Sequence, residues 1–320
     1  MPHAGCMLAV VGLLFGGCAA ASEEPREAGR LPAGEAGAGM AGLPSGTGGA
    51  NATGGAGGTM AGGVGGAAAG LGPDGAATPP FTGECGTTAN LLILLDLSGS
   101  MTIELVPGDP SQGTRYTATR EALIAALPAE AGVRVGLVYY GHPADVPGCA
   151  EAKKGCCTRD SENGGPDIPL QVMSAAHKQG IVDFLDAHDG DALHQTPTQK
   201  ALEGAYEMLS ASEFGGPRYV LLLTDGDENC GGDWARAGEN AATAQLEDPP
   251  IRTYVVGSPG SEPARQGLSD LAASGGTERV AGCDGSDGNT CHYDLTAAGG
   301  ALAEQLKQAI AAILAAAAPC

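Results

Sequence analysis

The sequence predicts an α/β fold: a doubly wound, mainly parallel central sheet with helices on both faces, preceded by a disordered linker. Residues 90–95 (NLLILL) and 218–223 (RYVLLL) are almost continuously apolar, which is typical of strands that are buried on both faces of a parallel sheet. Segments with helical spacing stand between such strands, and this alternation indicates helices covering both faces. Glycine is concentrated before residue 80, so the remaining chain has an ordinary globular composition.

The predicted elements alternate along the chain. Strands are expected at residues 90–95, 133–140, 168–172, 218–223, 251–256 and 292–294. Helices are expected at residues 117–127, 174–187, 198–209, 234–246, 263–273 and 295–318. Pro128 ends the first helix, and Pro169 places the third strand near a sheet edge, because proline cannot donate to the ladder. The Ala-rich last helix contains Glu304 and Lys307, so we expect it to pack on the domain rather than to anchor the chain in a membrane.

Residues 1–18, at the amino terminus, are predicted to form a signal peptide. Residues 7–17 form an apolar run that is too short to span a bilayer. Phe15-Gly-Gly-Cys18 resembles a bacterial lipobox, which implies a lipidated Cys18 and a place in the cell envelope, at the outer membrane or cell surface. Phe15 stands where leucine is usual, and residues 1–5 lack Lys and Arg; a secreted or periplasmic protein is therefore the alternative. Residues 19–80 lack a periodic apolar pattern and read as a flexible Gly/Ala-rich linker.

The formal net charge of −21 argues against nucleic acid as a partner, because an acidic chain repels phosphate backbones. It suits solubility, divalent cations or basic protein surfaces. The ten cysteines favour disulfides in an oxidising compartment over structural zinc, because no paired C-x₂-C sets are present.

Hard oxygen ligands follow two of the predicted strands. Asp96, Ser98 and Ser100 come after the first strand, Asp225 follows the strand 218–223, and Thr196 lies in the loop ahead of a helix. Ligands of such sheets bind beyond the carboxyl ends of the strands. Two carboxylates and three hydroxyls suit Mg²⁺ first, and also Mn²⁺ or Ca²⁺. So few charges leave the ion partly unneutralised, so that an acidic group from another molecule could complete its shell.

Three segments resemble the metal ion-dependent adhesion site of von Willebrand factor A domains. They are Asp96-Leu-Ser-Gly-Ser100, residues 196–202 (TPTQKAL) and residues 223–226 (LTDG). Residues 140–142, 225–232 and 292–294 are also similar to bacterial members, so the resemblance covers a domain over residues 86–318. It implies that Ser98, Ser100 and Thr196 bind the metal through their hydroxyls. Asp96 and Asp225 would contact the ion directly or through water.

The function that the resemblance implies is that of a non-enzymatic binding module in adhesion or envelope assembly, whose partner is a protein with an exposed Asp or Glu. An envelope scaffold with a purely structural metal is one alternative. A metal-dependent hydrolase is another, but His142 is the only histidine near a relevant loop, and no Gly-x-Ser-x-Gly, Walker or His-Glu-x-x-His segment is present. We interpret His142 as a loop residue.

Each site residue also has a purely structural interpretation. Ser98 and Ser100 could cap a turn, Thr196 could cap the helix that follows it, and Asp225 could form an Asx turn. Asp227 and Glu228 are expected at the rim of the site rather than among its ligands. Residues 284–288 (DGSDG) lack the distal Glu of a calcium loop and are predicted to form a turn.

Eight cysteines remain once Cys6 leaves with the signal peptide and Cys18 is lipidated. The resemblance implies that the ends of the domain lie close together, so that Cys85 and Cys320 could pair. Cys283 and Cys291 flank a short insertion and are expected to clip it. The pairing of Cys149, Cys156, Cys157 and Cys230 stays open; a link from the 149–157 loop to Cys230 would brace the rim of the metal site.

Overall fold

A single six-stranded sheet lies at the centre of the fold. In chain order its strands are β1 (Ala89–Asp96), β2 (Val133–Tyr140), β3 (Ile168–Val172), β4 (Arg218–Thr224), β5 (Ile251–Gly257) and β6 (Tyr293–Asp294). They are arranged in the order β3-β2-β1-β4-β5-β6. The β1, β2, β4, β5 and β6 strands are parallel, and β3 pairs antiparallel with β2 at one edge. The mainly parallel sheet and the edge position of β3 confirm the predictions.

This computed structural model describes residues 88–129, 131–141, 156–162, 164–189, 195–226, 228–296 and 302–317. The predictions of a signal peptide, a linker and roles for Cys18, Cys85, Cys149, Cys320, His142 and Asp227 lie outside the described residues.

The two faces of β1 explain its unbroken apolar sequence. All eight of its residues are buried. Leu91, Ile93 and Leu95 belong to one core cluster, whereas Leu92 and Leu94 belong to a second. Successive side chains of a strand point to opposite faces, so β1 contributes to two separate cores and has no polar face.

Six helices cover the two faces of the sheet. They are α1 (Arg115–Ala126), α2 (Ala175–Ala187), α3 (Thr198–Ser210), α4 (Trp234–Ala244), α5 (Arg265–Ser274) and α6 (Leu302–Ala317). Residues of α1, α2 and α6 share a core with Leu91 and Ile93, whereas residues of α3, α4 and α5 share the other with Leu92 and Leu94. The fold is therefore doubly wound, as predicted.

Several predicted helix boundaries were wrong. The first helix begins at Arg115, two residues early, because Thr114 and Thr117 form a reciprocal capping box. The predicted helix over residues 263–273 is split into a 3-10 turn, Glu262–Ala264, and α5. The α4 helix ends at Ala244, two residues before the predicted end.

The last helix begins later than predicted. The prediction was wrong at Leu295, which is not helical; its amide donates to the Gly257 carbonyl oxygen at 2.8 Å and continues the pairing of β6 with β5. The helix begins at Leu302, and its Leu306, Ile310 and Ile313 side chains are fully buried. Within the described parts of the chain, no helix is both long and apolar enough to cross a membrane.

Leu221→Ala tests the contribution of the sheet core. Leu221 is fully buried in β4, so its truncation removes apolar contacts and leaves a cavity. We expect the free energy of unfolding in urea to fall by about 2–5 kcal/mol. Leu246→Ala is the matched control, because Leu246 is 86% exposed, and it should change stability by less than about 0.5 kcal/mol. Equal effects of the two variants would contradict the assigned core.

Candidate metal-binding site

The Asp96 carboxylate joins the loop after β1 to the end of β4. Asp96 is the last residue of β1 and is fully buried. Its Oδ1 accepts a hydrogen bond from the Ser98 amide at 2.7 Å, and its Oδ2 accepts one from the Thr224 hydroxyl at 2.6 Å. These two bonds fix the direction in which the chain leaves β1, and they set where the following serines lie.

The serine hydroxyls form a chain that leads to the second carboxylate. The Oγ atoms of Ser98 and Ser100 are 2.9 Å apart, and the Ser100 hydroxyl donates to Asp225 Oδ1 at 2.8 Å. Although Ser98 precedes a 3-10 turn, its side chain makes no capping hydrogen bond. The capping interpretation of Ser98 is therefore wrong, and its hydroxyl faces Ser100 instead.

The Thr196 hydroxyl lies beside Gly226, as the Ser100 hydroxyl does. A methyl group placed on Gly226 would lie 3.5 Å from Ser100 Oγ and 3.6 Å from Thr196 Oγ1. Both hydroxyls thus lie next to Gly226, which has no β-carbon, and Asp225 is the residue immediately before Gly226. The structure brings together the side chains of all five predicted residues, Asp96, Ser98, Ser100, Thr196 and Asp225; that they bind a metal stays a prediction.

Asn229 holds Thr196 by three contacts. Its Oδ1 accepts from the Thr196 amide at 2.8 Å, its Nδ2 donates to Thr196 Oγ1 at 3.3 Å, and its own amide donates to the Thr196 carbonyl oxygen at 3.3 Å. The residue that precedes α3 as its cap is Pro197, and no side-chain capping bond is made there. The interpretation of Thr196 as a helix cap is therefore wrong. Asn229 was not among the predicted site residues, although it lies in the 225–232 segment.

Glu228 connects the rim of the site instead of facing it. Its Oε2 accepts from the Gln199 amide at 2.8 Å and its Oε1 from the Cys230 amide at 2.7 Å. Both carboxylate oxygens are thus engaged by backbone amides; that Glu228 lies at the rim rather than among the ligands stays a prediction.

Disulfides tie down two loops of the domain. Cys156 and Cys230 are bonded across 74 residues of sequence, so the segment after β2 is attached to the segment that carries Asn229. Cys157 is disulfide-bonded as well. Cys283 and Cys291 are joined across a short loop, which is the pairing that their spacing favours. Within that loop, Asp284 Oδ1 accepts hydrogen bonds from Ser286 and Asn289, and the segment is an exposed turn.

Arg115 is a member of the site that sequence analysis missed. It is the first residue of α1, and its Nη1 lies 2.6 Å from Asp225 Oδ2. Its guanidinium packs against Gly260, where any β-carbon would overlap it and where φ is +105°. Nothing in the local sequence signals this pair, because Arg115 and Asp225 are 110 residues apart.

The two carboxylates of the site are buried together. Burial, and after it the negative charge of Asp225, raise the pKa of Asp96 to about 6. Burial also raises the pKa of Asp225, although hydrogen bonds from Arg115 and Ser100 oppose that rise. Among the described residues, Arg115 is the one cationic side chain that forms an ion pair with this pair of carboxylates, and it does so through Asp225. The buried phenol of Tyr140, whose pKa is raised by burial and then by the charge of Asp96, supplies no positive charge.

The donor set fits a hard divalent cation. Carboxylate and hydroxyl oxygens are the ligands that Mg²⁺, Mn²⁺ and Ca²⁺ prefer, and a cation would offset the remaining buried negative charge. Across the described segments, no group of three or more His, Cys, Asp and Glu side chains could hold a metal. A metal at this site would therefore depend on the three hydroxyls as well as on the two carboxylates.

The fold and the site together define a class of protein. It is a doubly wound α/β domain with acidic and hydroxyl side chains at the carboxyl ends of β1 and β4, at the edge where such sheets bind ligands. The model of the von Willebrand factor type A domain matches residues 90–289, and the chain belongs to this family.

Solved structures of other proteins are similar to part of the chain. The pilus adhesin SpaC from Lactobacillus rhamnosus GG is 18% identical, with a TM-score of 0.46 over 70% of this chain and 30% of the adhesin. Proximal thread matrix protein 1 from the mussel byssus is 14% identical, with a TM-score of 0.43 over 72% of this chain and 48% of that protein. BatB from Bacteroides thetaiotaomicron is 14% identical, with a TM-score of 0.40 over 69% of this chain and 98% of that one.

The chain thus spans less than half of the adhesin and of the thread protein. No curated protein matches the sequence.

Asp96→Asn tests the electrostatic cost of the buried pair in metal-free protein. A carboxyl whose pKa is raised on folding holds its proton more tightly in the folded protein than in the unfolded chain. Ionising it therefore lowers the free energy of unfolding, and this loss develops as pH rises from about 4 to 6. Asparagine keeps the bond from the Ser98 amide and removes the charge. With a chelator at pH 7, we expect the variant to be more stable than wild type by on the order of 2 kcal/mol.

Urea unfolding between pH 4 and pH 7 measures this difference, which should shrink towards pH 4. The Asp270→Asn variant on α5, which removes the same charge from an exposed position, is the control. A difference for Asp96→Asn that does not change between pH 4 and pH 7 would contradict the cost assigned to burial.

Proposed function

We propose that this domain is an extracytoplasmic binding module that holds a divalent cation, Mg²⁺ first, and uses it to bind an acidic side chain of a protein partner. One observation carries the proposal. Two fully buried carboxylates, Asp96 and Asp225, lie with three hydroxyls at the carboxyl edge of the sheet, and among the described residues only Arg115 forms an ion pair there, with Asp225. Buried charge without a counter-charge is costly, so the arrangement favours a bound cation.

The contacts of each side chain support a role in holding the ion. Ser98, Ser100 and Thr196 would bind it through their hydroxyls, and Asp225 would add a carboxylate. Both oxygens of Asp96 already accept strong hydrogen bonds, from the Ser98 amide and the Thr224 hydroxyl. Both oxygens of Asp225 likewise accept hydrogen bonds, from Ser100 and Arg115. Asp96 and Asp225 would therefore contact the ion through water, or directly where the ion displaces one of these donors.

An acidic partner is supported by the net charge of the loaded site, because Arg115 offsets part of the negative charge that Asp96 and Asp225 bring to the ion. Three of the five oxygen donors are neutral hydroxyls, which solvate an ion but do not neutralise it. Ser100 and Gly226 are only half-buried, so the site reaches the surface beside them. A carboxylate from another protein would supply both a ligand and the missing charge.

An extracytoplasmic location is supported by the Cys156–Cys230 and Cys283–Cys291 disulfides, because such bonds persist in oxidising compartments. The lipidated Cys18 and the linker over residues 19–80 would attach the domain to the cell envelope; secretion or a periplasmic location is the alternative. The module would serve adhesion or envelope assembly.

A second candidate is an envelope scaffold in which the metal only stabilises the fold. The observation that favours it is the depth of the two carboxylates, because an ion that offsets their repulsion would raise stability whether or not a partner binds. A catalytic role is not part of the proposal, since the described histidine next to this edge of the sheet, His292, is 1% exposed and hydrogen-bonded to Ser269.

Titration of Mg²⁺, Mn²⁺ and Ca²⁺ into wild type, Asp96→Ala and Ser98→Ala by calorimetry tests the metal site. We expect one ion to bind wild type and each variant to bind it at least about tenfold more weakly, because each has lost a ligand or a group that orients one. Ser111→Ala, at an exposed serine outside the site, should bind as wild type does. Equal and negligible metal binding by wild type and Asp96→Ala would contradict the proposal.

The partner is then sought by metal-dependent pull-down from envelope extracts, with Asp96→Ala as the control bait. Thermal melts with and without chelator are run beside it. A partner that is retained by wild type with metal and released by chelator supports the binding module. A large loss of stability on chelation with no such partner supports the scaffold.

A further inference from the structure

The Arg115 guanidinium is fixed beside the site but is not fully used by the protein. Its Nη1 donates to Asp225 Oδ2, and its side chain is 17% exposed. No other N–H group of the guanidinium donates a hydrogen bond to a described residue. Contact with Gly260, which has no β-carbon to obstruct it, keeps the guanidinium in place.

The net charge of the site depends on Arg115. The ionised carboxylates of Asp96 and Asp225 and the arginine together leave one excess negative charge. A bound divalent cation converts this to one excess positive charge, and a single carboxylate from a partner would then neutralise the loaded site. Without Arg115, the two carboxylates alone would neutralise the ion, and a partner carboxylate would bring an excess negative charge.

We propose that Arg115 sets the charge of the site, so that it opposes metal binding in the free protein and favours an acidic ligand once the metal is bound. This inference rests on the proposed function and assigns a role to a residue outside the predicted ligand set. Its physical basis is Coulombic, since a fixed positive charge beside Asp225 repels a dication and attracts a carboxylate. By linkage, the metal and the acidic ligand then raise each other's affinity.

Arg120 shows what an arginine of α1 does without such a role. It lies one and a half turns further along the helix and pairs with Asp186 and Asp189 at the end of α2. Neither acid belongs to the site, and both are exposed. Arg120→Gln therefore removes the same net charge from the same helix while leaving the charge beside Asp225 intact.

Calorimetric titration with Mn²⁺ alone tests the first half of the inference. We expect Arg115→Gln to bind Mn²⁺ at least about tenfold more tightly than wild type, because the competing cation is gone. Arg115→Lys, which keeps the charge, and Arg120→Gln should both stay within about twofold of wild type. A merely structural role for Arg115 would leave the Mn²⁺ affinity of Arg115→Gln unchanged or weaken it.

A blocked peptide with one glutamate, titrated into the Mn²⁺-saturated proteins, tests the second half. Here Arg115→Gln should bind at least about tenfold more weakly than wild type, and Arg115→Lys should bind as wild type does. A folding defect would weaken both ligands, so opposite changes in the two affinities identify the charge effect. Changes in the same direction would overturn the inference.

The two proposals fail in different ways. Negligible Mn²⁺ binding by wild type and Asp96→Ala alike would overturn the metal site, and with it the role of Arg115. Binding that Asp96→Ala abolishes, but that Arg115→Gln leaves unchanged, would keep the metal site and overturn the role of Arg115.

Discussion

The bonds of the Asp96 carboxylate are the constraint on which the rest of the site depends. One oxygen accepts from the Ser98 amide in the loop after β1, and the other accepts from the Thr224 hydroxyl at the end of β4. The carboxylate thus joins two neighbouring parallel strands at the edge where their chains turn away from the sheet. Hydrogen bonds to a charged group are stronger than neutral ones. The Asp96 carboxylate therefore helps to position Ser98, Ser100 and Asp225.

Thr196 depends on a different set of contacts, which begins at a disulfide. Cys156 holds Cys230, the Cys230 amide donates to Glu228, and the neighbouring Asn229 grips the backbone and hydroxyl of Thr196. The hydroxyl that comes from outside the sheet is therefore placed by covalent and polar links. The strand-borne residues, in contrast, are placed by the packing of β1 and β4 against both helical layers.

Most of the fold could be predicted because its signals are local. The unbroken apolar run of β1 indicates burial on both faces, and the rule for open α/β sheets indicates where Asp96 and Asp225 must lie. The last helix was predicted too early because Leu295 continues an apolar pattern that suits a helix and a strand equally, and only its bond to Gly257 decides between them. Arg115 could not be predicted, because its partner is distant in sequence and its own neighbours only indicate the start of a helix.

The chemistry of the site follows from what hydroxyls can and cannot do. A hydroxyl can donate or accept and so satisfies a buried carboxylate or a cation equally well, but it carries no charge and cannot offset one. Because three of its five donors are uncharged hydroxyls, the site carries only two carboxylates, and one arginine offsets part of their negative charge. A third carboxylate would bind an isolated dication more strongly and leave a partner's acidic group with less to neutralise. The combination of hydroxyls with Arg115 therefore favours an ion whose shell is completed from outside the chain.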